Sequence, residues 1–338
     1  MKKIYYITAV FATLFLVGCG DGIDLPGVNV ETDLNKIPLP DNNVNLEQVE
    51  LKPSTEPMLH EGLHTEEDFQ RIRDKKAAGE EPWVSAYQLL VESQFSQKTA
   101  DTYPTEWIKR GVSGDENYMN AARGATIAYQ QALRWKIEQD DEYAAKAVEN
   151  LNKWVQTCVG VTGNTNLSLA AGLYGYEFAI AGELLRDYEG WDRADFAAFQ
   201  NWLLKVFYPA NDDFLKRHHD TNALHYWANW CLCNIAAKMA IGIVTDRRDI
   251  YNEGIAHLQT GDTNGRLRRA IYHDYAPDYN FAQWQESGRD QGHTLMCVGL
   301  MGVICQLAWS QGDDFFAYDD NLFMRACEYA ACCNYTNE

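Results

Sequence analysis

The chain has 338 residues, 46% hydrophobic and 12% aromatic, with 10 Trp and 19 Tyr, which is ample material for a globular core. Its formal charge of −19 argues against nucleic acid as a partner, and an anionic ligand needs a local basic patch to overcome the protein's own field.

The N-terminus reads as an export signal. Met1-Lys2-Lys3 is basic, Ile4 to Val17 is apolar, and Gly18-Cys19 places a small residue before a cysteine. The apolar run is short for a transmembrane helix. Leu16-Val17-Gly18-Cys19 resembles a lipobox, in which the cysteine is acylated and becomes the mature N-terminus. Residues 1–19 are therefore expected to leave the fold, and the loss of Lys2 and Lys3 takes the formal charge to −21. The expectation is an exported lipoprotein anchored at Cys19 to a Gram-negative envelope, periplasmic or on the cell surface. Residues 20–57 are polar and punctuated by Pro26, Pro38, Pro40 and Asn42, as in a flexible tether. No second linker follows, so residues 58–338 are expected to form one domain.

Helical signals dominate that domain. Thr65-Glu66-Glu67-Asp68 suits a helix start. Residues 117–139 carry Ala121, Ala125, Ala128, Ala132 and Trp135 at helical spacing, Asp140-Asp141 breaks the pattern, and residues 142–156 repeat it. Further helices are expected over 167–188, 193–207, 221–244, 248–259, 286–311 and 319–333. Those at 167–188, 221–244 and 286–311 are apolar nearly all round, which demands burial on every side. Their neighbours are more polar on one side. Alternating buried and half-exposed helices predict an all-α (α/α) toroid with an inner and an outer ring. A helical solenoid is the alternative.

Nine cysteines are present. With Cys19 lipidated, eight remain, an even number that permits disulfides in an exported protein, but most sit in apolar, helix-like contexts without CxxC spacing, which reads as mostly free, buried thiols. His218, His219, Cys231 and Cys233 make a poor zinc set, and neither a metal nor a cofactor is expected.

Three constellations carry chemistry. The first, Lys216 to Trp230, crowds three histidines and three aromatics at the mouth of a buried helix. His225 and Asn229, four apart, are expected on one face, with Asp220 or Thr221 as N-cap. The second is Gln283-Trp284-Gln285-Glu286-Ser287-Gly288-Arg289-Asp290-Gln291-Gly292-His293. Its Glu286, Arg289 or Asp290, and His293 fall at helical steps, and such polarity before an apolar run lines a wet site or a paired network. The third runs from Gly265 to Tyr275 with Tyr279 soon after, and offers Arg266, Tyr272 and a solvated Arg268-Arg269 pair.

The stretches His225 to Ala236 and Gln283 to His293 resemble the alginate-lyase-like (α/α) toroid proteins, especially polysaccharide lyase family thirty-eight, which acts on alginate and glucuronan. Leu63 to Phe69 and Ala317 to Asn321 add to the resemblance, which covers most of the chain from Met58. It implies β-elimination on a uronate polymer. The C5 proton lies beside a carboxylate, so a neutralising group, a base and an acid for the departing O4 are required. The resemblance implies His225 as base and Tyr279 as acid, with Tyr272 in reserve. It makes Asn222, Asn229, Arg289 and His293 neutralisers or subsite contacts, has Glu286 orient Arg289 or His293, and gives Asn229, Trp227, Tyr272, Gln285, Glu286 and Arg266 as substrate-facing groups. Members of the group continue past the helix expected at 319–333, so a toroid shortened at its C-terminal end is implied. Two rivals stand beside this reading. A glycoside hydrolase on the same fold would need paired carboxylates, for which Glu286, Asp290 and Asp220 are available. A non-catalytic glycan-binding lipoprotein would keep the aromatic platforms and tolerate loss of His225.

Overall fold

The computed structural model describes residues 54–276 and 279–335. The signal, Cys19 and nearly all of the tether lie outside them.

Local chemistry sets the helix starts. Helix α1 (Glu66–Ala77) opens on a capping box, in which Thr65 Oγ1 accepts from Asp68 N and Asp68 Oδ2 accepts from Thr65 N. Helix α2 (Trp83–Glu92) follows, and then strand β1 (Trp107–Arg110). Helix α3 (Tyr118–Glu138) ends where Gln139 turns left-handed, and Asp140 caps α4 (Asp141–Thr157) by accepting from Glu142 N. Strand β2 (Gly160–Gly163) pairs in parallel with β1 and leads into α5 (Leu167–Leu184). Next come α6 (Arg193–Val206), α7 (Tyr208–Arg217), α8 (Ala228–Val244) and α9 (Arg248–Thr260). A single turn, α10 (Leu267–Ala270), runs into β3 (Ile271–Asp274), which pairs antiparallel with β4 (Ala282–Trp284). Helices α11 (Gln291–Ser310) and α12 (Tyr318–Tyr335) complete the described chain.

The spacing located the helix bodies but not all their ends. Helix α8 begins at Ala228, not near Thr221, and α11 begins at Gln291, not at Glu286. Helix α7 was not anticipated. It restarts after Phe207 with Pro209 in its first turn, where proline's missing N–H costs nothing. The four strands are too short for alternation to register.

The inner layer is α3, α5, α8 and α11. The last three are buried nearly all round, as their composition demanded. Helices α4, α6, α7, α9 and α12 pack outside them. Gly172 permits the tight α5–α8 approach, since a Cβ there would lie 2.5 Å from Cys233 Sγ. Cys158, Cys231, Cys233, Cys297 and Cys305 are buried in this core as small hydrophobes.

One end of the inner layer is closed by the segment before α1. Gln311, just past α11, donates to Leu59 O (2.9 Å) and Glu61 O (2.7 Å) and accepts from Leu59 N. His60 meets Asp246 beyond α8, and Gly62 lies against Glu183 of α5. The segment then carries His64 inward to the Tyr129 hydroxyl of α3 at 2.6 Å, where burial pushes the imidazole down to about 4. Glu177 of α5 acts electrostatically on Tyr129 and on Tyr176. It is surrounded by protein yet keeps some accessible surface. Burial pushes its carboxyl up to about 8. The opposite end of the layer, where the inner helices begin, is where the polar motifs gather.

Candidate functional site

The first motif is a clamped loop rather than a helix. After α7, His218, His219 and Asp220 take φ of 51°, 53° and 59°, an uncommon left-handed run for residues other than glycine. It reverses the chain toward the mouth. His219 Nε2 pairs with Ser168 Oγ of α5 at 3.0 Å, and its ring lies edge-on to Tyr226. Tyr226 reaches Thr165, just before α5. Asn222 Oδ1 accepts from Leu224 N (2.8 Å), and Asn222 O accepts from His225 N (2.9 Å). Asn264 Nδ2 donates to both Leu224 O (3.0 Å) and Tyr226 O (2.8 Å), so a single amide brackets His225 from either side. His225 itself is exposed, with its ring 4.9 Å from that of Tyr226.

The expectation that His225 and Asn229 share a helix face is therefore overturned. Trp227 is the N-cap of α8 and supplies no side-chain bond, and neither Asp220 nor Thr221 caps the helix. The second motif takes that role. Gln285 Oε1 accepts from Ala228 N and Glu286 Oε1 from Asn229 N, each at 2.8 Å. Glu286 is fully buried and also receives Asn229 Nδ2 (3.5 Å), Cys297 Sγ (3.3 Å) and Arg289 Nη1 (3.2 Å). Burial raises its carboxyl above the usual range, against the pull of the Asn229 N–H and of Arg289.

Several assigned roles change accordingly. Asn229, 1% exposed, and Glu286, 0% exposed, are joined to each other at the α8 terminus, and Glu286 also holds Arg289, the orienting role expected of it; both position the loop rather than touch substrate. Gln285 uses its oxygen on the α8 terminus. The helical steps expected from Glu286 to His293 are broken. Gln285–Gly288 is a 3₁₀ turn, and Asp290 N-caps α11 by accepting from His293 N at 2.8 Å. The pairings survive that break, since Arg289 meets Glu286 and His293 Nδ1 lies 2.6 Å from Asp290 Oδ2. The Arg289 guanidinium sits 5.4 Å from the Trp227 ring and keeps part of its surface open.

The third motif forms a neighbouring wall. Arg266 lies two residues beyond the Asn264 clamp, is half-buried, and its guanidinium donates to no described residue. Tyr272, on β3, is half-buried, and burial raises its hydroxyl. Tyr279 is 65% exposed between the two strands. The solvated face expected for Arg268-Arg269 is not found. Arg268 joins Asp274 and Asp319, Arg325 also joins Asp274, and Arg269 donates to Asp262 O. This network locks the β3–β4 hairpin onto α12. The drawn zinc set does not converge either: His219 is on Ser168, Cys231 borders Gly265, and Cys233 Sγ donates to Trp230 O. Asn264, Thr165 and Ser168, which hold the loop, were not singled out. A lone Asn or Ser in a loop carries no sequence signal for a long-range clamp.

Fold and site together define an (α/α) toroid protein with its polar groups collected on loops at the inner-helix mouth. The Alginate lyase family model matches residues 72–334, and the chain belongs to that family. Among solved structures it is similar to an alginate lyase from Bacteroides ovatus, at 14% identity over 80% of this chain and 82% of that one, with a TM-score of 0.59. Alginate lyase A1-III from Sphingomonas species A1 is similar at 13% identity over 82% and 80%, with a TM-score of 0.57. So is a variant of alginate lyase A1-III complexed with tetrasaccharide, at 14% identity and the same TM-score. These likenesses establish the fold. No curated protein matches the chain.

Proposed function

We propose that the protein cleaves a uronate polymer of the alginate type by β-elimination at the clamped His225 loop. Its family makes it a polysaccharide lyase, and the tetrasaccharide complexed with the A1-III relative supports an oligosaccharide as its ligand. The observation that carries the reading is the exposed His225, held by Asn264, with Arg266 two residues past that clamp and its guanidinium donating to no described residue.

Each step finds a group. Arg266 and the amide nitrogen of Asn222, which donates to no described residue, neutralise the carboxylate next to C5 and so lower the cost of the carbanion-like intermediate. His225 takes the C5 proton. Tyr272 protonates O4 as the bond to it breaks, its hydroxyl kept protonated by partial burial. Tyr272 replaces Tyr279 as the acid, because it is fixed on β3, which follows directly from the single turn α10 that Arg266 precedes, whereas Tyr279 stands in solvent. Arg289 on Trp227 and His293 on Asp290 form an adjoining subsite. Of the carboxylates a hydrolase could use, Glu286 and Asp290 are engaged by the α8 and α11 termini, and Asp220 is exposed beside Arg217.

The same proposal places residues 58–338 in one catalytic domain tethered by residues 20–57 to a lipid on Cys19, at the periplasmic or outer face of the envelope. Support for this comes from the sequence of residues 1–57. Mass spectrometry of products from polymannuronate, polyguluronate and glucuronan tests the reaction class. Elimination gives chains with an unsaturated end, one water lighter than hydrolysis products. Hydrolysis products overturn the lyase reading, and binding without any product leaves a glycan-binding lipoprotein.

A further inference from the structure

The described residues hold five buried cations, and four of them have a carboxylate: Arg134 with Glu138, Arg186 with Glu183, Lys238 with Asp212 and Arg325 with Asp274. The fifth, Arg110 on β1, is 5% exposed and has none. Its guanidinium lies 4.6 Å from the Tyr118 ring, Nη1 is sealed without a partner, and no nitrogen donates to a described residue. A buried charge left without a counter-ion is destabilising. In a chain with 48 acidic and 29 basic residues, its persistence calls for a reason. Arg266 is the one other described arginine whose side chain donates to no described residue, and the proposed chemistry gives it an anionic substrate group.

Arg110 stands close to the same mouth. Its strand partner is Gly163, two residues before Thr165, which holds Tyr226 next to His225. Strand spacing and chain reach put the Cα atoms of Arg110 and Thr165 within about 12 Å. A second cation lies on α3, whose first residue is Tyr118. Arg123 faces the Tyr103 ring at 5.6 Å and donates only to Asn120 Oδ1, and Tyr103 is 37% exposed. Both arginines are free of carboxylates at one helix start. They supply the local basic patch that a strongly acidic protein needs for an anionic polymer.

We infer that Arg110 and Arg123, with Tyr118 and Tyr103, form an outlying subsite that holds a uronate carboxylate of the bound chain away from the cleavage point. The inference rests on the lyase reading. The test is calorimetric binding of mannuronate oligomers, and of the same oligomers with reduced carboxyl groups, to full chain carrying His225→Ala. Adding Arg110→Met is expected to weaken the carboxylated oligomer roughly tenfold or more, to leave the reduced one unchanged, and to keep or raise the melting temperature. Arg123→Gln, at a more exposed site, is expected to weaken it several-fold and serves if Arg110→Met fails to fold. Unchanged affinity in a folded Arg110→Met protein overturns the subsite, as does equal weakening for both oligomers. Absence of binding when Arg110 and Arg123 are both intact overturns the lyase reading and the subsite together.

Discussion

Glu177→Gln isolates the charge placed inside the toroid. In the folded protein, burial pushes the Glu177 carboxyl up to about 8, while an unfolded chain titrates near the ordinary value of 4.5. Between those two pH values the folded state holds a proton that the unfolded state releases, so stability falls as pH rises through this window. Each tenfold change in proton affinity is about 1.4 kcal/mol, which bounds the loss at roughly 5 kcal/mol. Because the side chain keeps some accessible surface, solvent screens part of the charge, and about 2–4 kcal/mol is the expected size. Glutamine keeps the shape without the ionisation. Urea unfolding at pH 5, 7 and 8.5 is expected to show the two proteins close together at pH 5, with the variant gaining ground as pH rises. The other titrating groups contribute equally to both curves and cancel. A variant that is less stable at pH 8.5, or a difference that does not change with pH, refutes the reasoning and means that the carboxylate is ionised and paired.

Glu286→Ala removes the acceptor for the second N–H of α8 and strands Arg289, so it is expected to cost about 3–5 kcal/mol in denaturant unfolding and to abolish activity with it. Tyr272→Phe is expected to lower turnover roughly a hundredfold to ten-thousandfold with an unchanged melting temperature, while Tyr279→Phe stays within about threefold. The reverse order reinstates Tyr279 as the acid. Cys19→Ala is expected to block incorporation of radiolabelled palmitate and to release the protein from membranes of the expressing cell. Continued labelling refutes anchoring at Cys19.

How legible the fold was depended on which force shapes each element. Helices α5, α8 and α11 announced themselves because burial on all sides leaves no polar face, and Thr65 and Asp140 marked starts through local capping. The start of α8 was missed because its cap is tertiary. Gln285 and Glu286, nearly sixty residues away, satisfy the N–H groups that a local Ser or Asp would otherwise take. Arg268 was misread for the same kind of reason, since its carboxylates come from β3 and α12. The site motifs were visible as dense polar residues beside apolar runs. What stayed hidden was which members touch solvent: His225 and Glu286 look alike in the sequence, but one is exposed and the other is fully buried.

The most direct test of the central claim is the rate at which unsaturated uronate, seen by its ultraviolet absorbance, appears from alginate and its homopolymers. It compares protein lacking residues 1–19 with the same protein carrying His225→Ala. His225 is exposed, so the substitution leaves folding intact and acts on chemistry alone. The account predicts a clear signal on at least one polymer and a loss of roughly a hundredfold or more in the variant. Equal rates in the two proteins, or silence from a well-folded wild type on every uronate polymer, would contradict it.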